Sequence, residues 1–219
     1  MIQAAIFDMD GTLVNNTEVH IRAFEIFCNR YGVSNWREKL ASAFGMGNDD
    51  IMRMILPEEL IRQHGIKALG DEKEALYREI YAPDCKPIAG LKEVLEELRR
   101  RGIRIAVGSS ACRENVDFVL EKCGIAEYFE SITTGDRVTH CKPDPEIYLT
   151  GAAAMGLHPE ECMIFEDAKS GITAAHRAGC GYLVALSTTI SRSEIEALGY
   201  ADRIIGDYTE LRDWDTILG

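Results

Sequence analysis

After Pro87 the chain alternates amphipathic helices with short apolar strands, and this rhythm is what most restricts its possible folds. Leu91, Val94, Leu95 and Leu98 fall at helical spacing, Gly102 closes that helix, and the run IRIAVG at 103–108 reads as a strand. The unit recurs as helix 114–122 with strand 131–134, helix 145–155 with strand 162–165, and helix 171–178 with strand 182–186. A last pair follows at 193–198 and 203–205. Strands separated by helical crossovers stack in parallel, with helices covering both faces of one open sheet. The expected fold class is therefore α/β, a doubly wound, mostly parallel, Rossmann-like sheet.

The N-terminal part has a different character. An apolar segment, QAAIF at 3–7, runs into the polar turn DMDGT and reads as a further short strand. From about 17 to 81 the signals are helical, with helices expected at 22–31, 49–55, 58–64 and 71–81 and no alternating strand pattern. A chain of 219 residues can bury one substantial core and carry a smaller insertion. The expected division is a catalytic core of residues 1–15 and 86–219 with a small all-helical cap domain, 16–85, inserted after the first strand.

Composition excludes several functions. With a formal net charge of −12, the chain repels the phosphate backbone of nucleic acids. No apolar run approaches the length of a membrane span, and Asp8 and Asp10 interrupt the first hydrophobic stretch, so neither a membrane partner nor a leader is expected. The seven cysteines form no CxxC pair or zinc-type cluster and fit a reducing compartment, which makes the expected location cytoplasmic; Cys141, beside Lys142, is a candidate for oxidation. A small anionic substrate stays open, since a bound cation or a few local charges can dominate the field in a cleft.

Open parallel sheets bind ligands at the carboxyl ends of their strands, where four polar clusters fall. Asp8 and Asp10 project from one side of an extended segment before Gly11, and two such carboxylates can divide the work of nucleophile or metal ligand and general acid. Asp-Gly is equally a turn signal. Ser109 and Ser110 follow the strand IRIAVG, where a hydroxyl and backbone N–H groups can hold phosphate oxygens or cap the next helix. Lys142 precedes a proline-initiated helix and would direct a cation into the cleft, unless it is a solvated surface group. Glu166 and Asp167 end another strand and suit a hard cation such as Mg²⁺, or a helix cap. Capping explains each cluster singly but not their convergence on one sheet end.

In order, DMDGT, AVGSS, CKPDPEIY and IFEDAKSGI resemble the four motifs of the haloacid dehalogenase-like superfamily, in the helical-cap branch near β-phosphoglucomutase and small-molecule phosphatases. The resemblance implies Asp8 as nucleophile, Asp10 as acid and base, Ser109 as phosphate binder and Lys142 as the cation beside Asp8. It also implies Mg²⁺ held by Asp8, the backbone carbonyl of Asp10 and Asp167, with Glu166 as ligand or close neighbour. Such an enzyme hydrolyses a small phosphorylated metabolite through an aspartyl phosphate. In the cap, His20 and Lys73 match positions of the β-phosphoglucomutase type, whereas Asn48 in FGMGNDD replaces the arginine that grips a distal phosphate, Asn15 and Asn16 replace an acidic residue followed by Ser or Thr, and Ala168 replaces a serine. A neutral amide lacks both charge and fork geometry, which favours a phosphatase over a sugar phosphate mutase; a non-catalytic phosphate-responsive module is the third reading. The expected assembly is a monomer or weak dimer.

Overall fold

The structure, a computed structural model, describes residues 1–41, 43 and 46–218. Strands β1 (Ala4–Phe7), β2 (Arg104–Gly108), β3 (Ser131–Thr133), β4 (Cys162–Glu166), β5 (Tyr182–Leu186) and β6 (Arg203–Ile205) form a single sheet in the order β3-β2-β1-β4-β5-β6. Every pairing is parallel. The strand order changes direction at β1, and a doubly wound sheet opens a crevice at such a switch point. Register aligns the strand ends there: Phe7 pairs with Val107 on one side and Phe165 on the other, so Asp8, Ser109 and Glu166 emerge at nearly one level.

Five helices lie between β1 and β2 before the alternation resumes: α1 (Thr17–Arg30), α2 (Trp36–Ala41), α3 (Asn48–Ile55), α4 (Glu58–His64) and α5 (Ile66–Tyr81). They bury their own apolar cluster, which includes Phe24, Phe27, Trp36, Leu40, Met52 and Leu69. Two of these helices are longer than periodicity predicts, and α2 is not foreseen. Helix α1 starts at Thr17 rather than 22, and α5 starts at Ile66 rather than 71. Gly70, which looks like a breaker, sits inside α5 because Asn48 packs against it: a Cβ there would lie 2.6 Å from Asn48 Nδ2. Of the segment FGMGNDD, positions 44 and 45 lie outside the described residues.

The sheet is covered on both faces, which is why AAIF in β1 and CMIF in β4 are continuous apolar runs without alternation. On one face α6 (Leu91–Arg100) and α7 (Arg113–Cys123) pack Leu95, Leu98, Val116 and Val119 against Phe7, Val107 and Phe165. The Phe7 and Phe165 rings stack at 4.2 Å. On the other face α8 (Glu146–Ala154), α9 (Lys169–Ala178) and α10 (Arg192–Leu198) bring Tyr148, Ile172 and Ile195 onto Ile6 and Ile164. The short α11 (Trp214–Leu218) adds Trp214 and Ile217 to the first face. Among the described residues no helix is long and apolar enough to cross a membrane.

Candidate active site

All four polar clusters meet at the carboxyl end of the sheet. Asp8 leaves β1 with 7% of its surface exposed, and Lys142 donates to its Oδ1 at 2.5 Å. The same ammonium donates to Glu166 Oε1 at 2.6 Å and to the Gly108 carbonyl at 3.1 Å, so its three donors are all used. Burial alone would lower the proton affinity of Lys142, but Asp8 and Glu166 outweigh it and raise the pKa. A buried, fully bonded Lys142 is not a solvated surface group. Glu166 is equally committed: Tyr148 Oη donates to its Oε1 at 2.6 Å, and the N–H groups of Asp167 and Ala168 donate to its Oε2 at 2.9 and 3.2 Å. Gly171 on α9 makes room for this carboxylate, since a Cβ at that position would collide with it.

Asp167 is placed differently. Its Oδ1 accepts from Thr12 Oγ1 at 3.0 Å, while its Oδ2 is buried without a partner. Burial first, then the charges of Glu166 and Asp8, push its carboxyl well above the usual range. Asp8 is affected similarly: burial pushes it up to about 8, with Lys142 pulling down and Glu166 and Asp10 adding to the rise. Mutually repelling buried carboxylates and an unpartnered carboxylate oxygen fit a hard divalent cation, which prefers oxygen ligands. Gly11, at φ 83°, belongs to this pocket, because a Cβ there would strike the Asp167 carboxylate.

Asp10 faces the helical insert. Asn16 Nδ2 donates to its Oδ1 at 2.6 Å, and His20 Nε2 lies 3.5 Å away, within ion-pair range but long for a hydrogen bond. Desolvation pulls the Asp10 carboxyl upward, yet the His20 charge, its contact and that of Asn16, and the Lys73 charge together hold it below the usual value. The two aspartates of DMDGT are thus driven apart, which is the pattern expected of a pair with separate acid–base roles. His20 stacks on Tyr77 with ring centroids 4.0 Å apart, and its Nδ1 faces Lys73 Nζ at 3.4 Å.

Lys73 is 2% exposed and already paired with Glu74 at 2.5 Å; Asn115 Nδ2 donates to Glu74 Oε2 at 2.7 Å and ties this insert pair to α7 of the core. Between insert and sheet lies a narrow cleft lined by Asp8, Asp10, His20, Asn48, Lys73, Ser109, Glu166 and Asp167. Phe24, Leu40 and Ile51 give it an apolar wall. Asn48 Oδ1 is buried without a partner. Ser109 does not cap the next helix: Cys112 is the N-cap residue of α7, and Ser109 Oγ accepts from the Ala111 N–H at 3.2 Å. Sequence reasoning missed Tyr77, Asn115 and Tyr148, whose partners are distant in the chain. It registered Asn16 only as a departure from a motif.

The chain matches the haloacid dehalogenase-like hydrolase family over residues 5–185. It belongs to that family. The expectation of a phosphoric monoester hydrolase is met, since several of its relatives are named phosphatases. This hydrolase is 31% identical over 219 residues to validoxylamine A 7'-phosphate phosphatase of Streptomyces hygroscopicus subsp. limoneus, with 97% of each chain covered. It is 30% identical over 176 residues to fructose-1-phosphate phosphatase YqaB of Escherichia coli K12, covering 80% of this chain and 91% of that one. Among solved structures, CbbY of Rhodobacter sphaeroides in complex with xylulose-(1,5)bisphosphate aligns with a TM-score of 0.81 at 26% identity, covering 96% of each chain.

Proposed function

We propose that this hydrolase is a Mg²⁺-dependent phosphatase of the cytoplasm that cleaves a small phosphorylated metabolite, a sugar phosphate or similar, through an aspartyl phosphate on Asp8. The helical insert acts as a cap over the cleft. The observation that carries the reading is the asymmetry of the two aspartates: Asp8 gripped by Lys142 among carboxylates, Asp10 held ionised by Asn16, His20 and Lys73. The names of the relatives support a carbohydrate-like ester.

Mg²⁺ would be held by Asp8, the Asp10 backbone carbonyl and Asp167, where it supplies charge neutralisation for an anionic nucleophile meeting an anionic phosphate. Glu166, with both oxygens engaged, acts by positioning Lys142. Asp8 attacks phosphorus along the line of the leaving oxygen, and Lys142 and Ser109 steady the phosphoryl oxygens. The negative charge of the incoming phosphate raises the proton affinity of Asp10, which then protonates the departing alkoxide. In the second half-reaction Asp10 takes a proton from water, and that water releases phosphate from Asp8.

Hydrolysis is favoured over mutase chemistry because the insert offers little grip for a second phosphate. Lys73 is neutralised by Glu74, and Asn48 presents only an amide. A panel of phosphorylated metabolites assayed with Mg²⁺, following phosphate release beside interconversion of β-glucose 1-phosphate and glucose 6-phosphate, tests this directly. Phosphate release should dominate; efficient interconversion with little free phosphate would establish the mutase instead.

A further inference from the structure

Cys85 and Cys123 come from different parts of the chain. Cys85 lies in the segment that returns from α5 to α6, and Cys123 is the last residue of α7. Their sulfur atoms are 3.9 Å apart and unbonded. A disulfide of about 2.05 Å requires closing that gap by about 2 Å, which side-chain rotation in a half-buried linker can provide.

The two thiols are unlike each other. Cys85 is half-buried, and its proton affinity is lowered by the hydrogen bond with Cys123, against burial, with help from the Tyr81 hydroxyl and the Lys122 charge. Cys123 is 4% exposed and raised, by its hydrogen bond with Cys85 and then by burial. Burial pushes the other thiols up as well: Cys28, Cys112 and Cys162 to about 11, Cys180 to about 12, and Cys141 above its usual value. Only a thiolate attacks readily, and within this pair Cys85 is the more exposed thiol, with the Cys123 sulfur directly beside it.

We propose that Cys85 and Cys123 form a peroxide-oxidisable dithiol whose disulfide fastens the return linker of the helical insert to the core. In the first step the Cys85 thiolate attacks one peroxide oxygen, the O–O bond breaks, and a sulfenic acid and hydroxide form. The Cys123 sulfur then attacks the Cys85 sulfur, forming the S–S bond as the S–O bond breaks and water leaves. Two thiols lose two electrons and two protons, and one hydrogen peroxide becomes two waters.

The consequence for turnover rests on the function proposed above. Asp8 and Ser109 are nearly inaccessible beneath the insert, so substrate access and product release require insert and core to part about their two covalent connections. Fastening one of these connections hinders that motion. The linker follows directly on the site's own packing: Tyr81, the last residue of α5, packs on Tyr77 at 5.6 Å, and Asn16 donates to both Tyr77 Oη and Asp10.

The test oxidises the reduced full-length protein with stoichiometric hydrogen peroxide, blocks free thiols with N-ethylmaleimide, and maps peptides by mass spectrometry. We expect a Cys85–Cys123 linked peptide that disappears with dithiothreitol, with the other five cysteines alkylated. Cys123→Ser should instead accumulate a dimedone-trappable sulfenic acid at Cys85, and Cys85→Ser or Cys85→Ala should give neither product. Alkylation of both cysteines after oxidation, or linkage of either to a different cysteine, overturns the site whatever the enzyme's activity. Phosphate release should fall on oxidation, recover with dithiothreitol, and be insensitive to peroxide in Cys85→Ser. Linkage with unchanged turnover overturns the effect on the insert, while a reduced enzyme inactive on every phosphate ester refutes the proposed function and leaves the thiol chemistry standing.

Discussion

Asparagine at position 8 would keep the shape of the side chain while removing its charge and nucleophilicity. Asp8→Asn is expected to lower kcat by at least about 10³-fold with an intact fold, as loss of a covalent nucleophile does; phosphate release and circular dichroism check the two halves of that statement. Asp10→Asn should cost about 10²- to 10⁴-fold, the usual worth of a positioned acid–base group, yet leave phosphorylation of Asp8 by an aryl phosphate measurable in a rapid-quench burst. Equal loss of both half-reactions would sink the division of roles. Asn16 lowers the proton affinity of Asp10 through a 2.6 Å hydrogen bond, so Asn16→Ala should move the Asp10 ionisation in the kcat/KM profile to higher pH. At this scale Asp8, Asp10, Ser109, Glu166 and Asp167 were legible because they stand at the ends of apolar runs, and Lys142 because it opens a proline-marked turn. Asn115 and Tyr77 were not, since their partners Glu74 and Asn16 lie 41 and 61 residues away, and no local pattern reports such a contact.

Helix α9 carries a small residue where the chemistry needs space. Gly171→Ala would drive a methyl group into the Glu166 carboxylate, which is already fixed by Lys142, Tyr148 and two backbone N–H groups. Overpacking of this kind costs about 1–3 kcal/mol, so the variant should melt at a lower temperature and lose activity through displacement of Lys142; wild-type values in both assays would remove Glu166 as a positioning group. On α3, Asn48→Arg would add a forked cation to the cleft, and retention of bisphosphorylated sugars should rise more than hydrolysis does, measured as KM and inhibition constants against kcat. Element type was readable almost throughout, because the apolar period changes from helical to strand-like at Gly and Pro boundaries. The start of α5 was not, because a glycine inside a helix reads as a stop until the side chain packed against it is known.

Over the whole molecule, the proposed mechanism has protons and a divalent cation compete for the same buried carboxylates. The native pKa of Asp8, near 8, lies above its ordinary 3.8, and Asp167 is raised as well. Between those pH values the metal-free native state holds protons that the unfolded chain has shed, so its stability falls as pH rises from about 4 to about 8. Asp10 and Glu74 act in the opposite sense: their lowered values contribute stability above the ordinary carboxylate range that is lost on acidification. Melting in chelator should therefore move to lower temperature between about pH 5 and about pH 8, and Mg²⁺ should restore more stability at the higher pH by replacing the proton. An equal Mg²⁺ shift at both pH values would contradict that competition. The register of β1 has a further consequence, for synthesis. Ala4 pairs with Arg104 on one side and Cys162 on the other, so the central strand leaves the ribosome long before either neighbour exists. At about 5–20 residues per second its second edge waits roughly ten to thirty seconds, while the locally connected helices of the insert can already form. During translation β1 is therefore an apolar strand with neither sheet neighbour in place, the state in which a chaperone or a neighbouring nascent chain would first meet it.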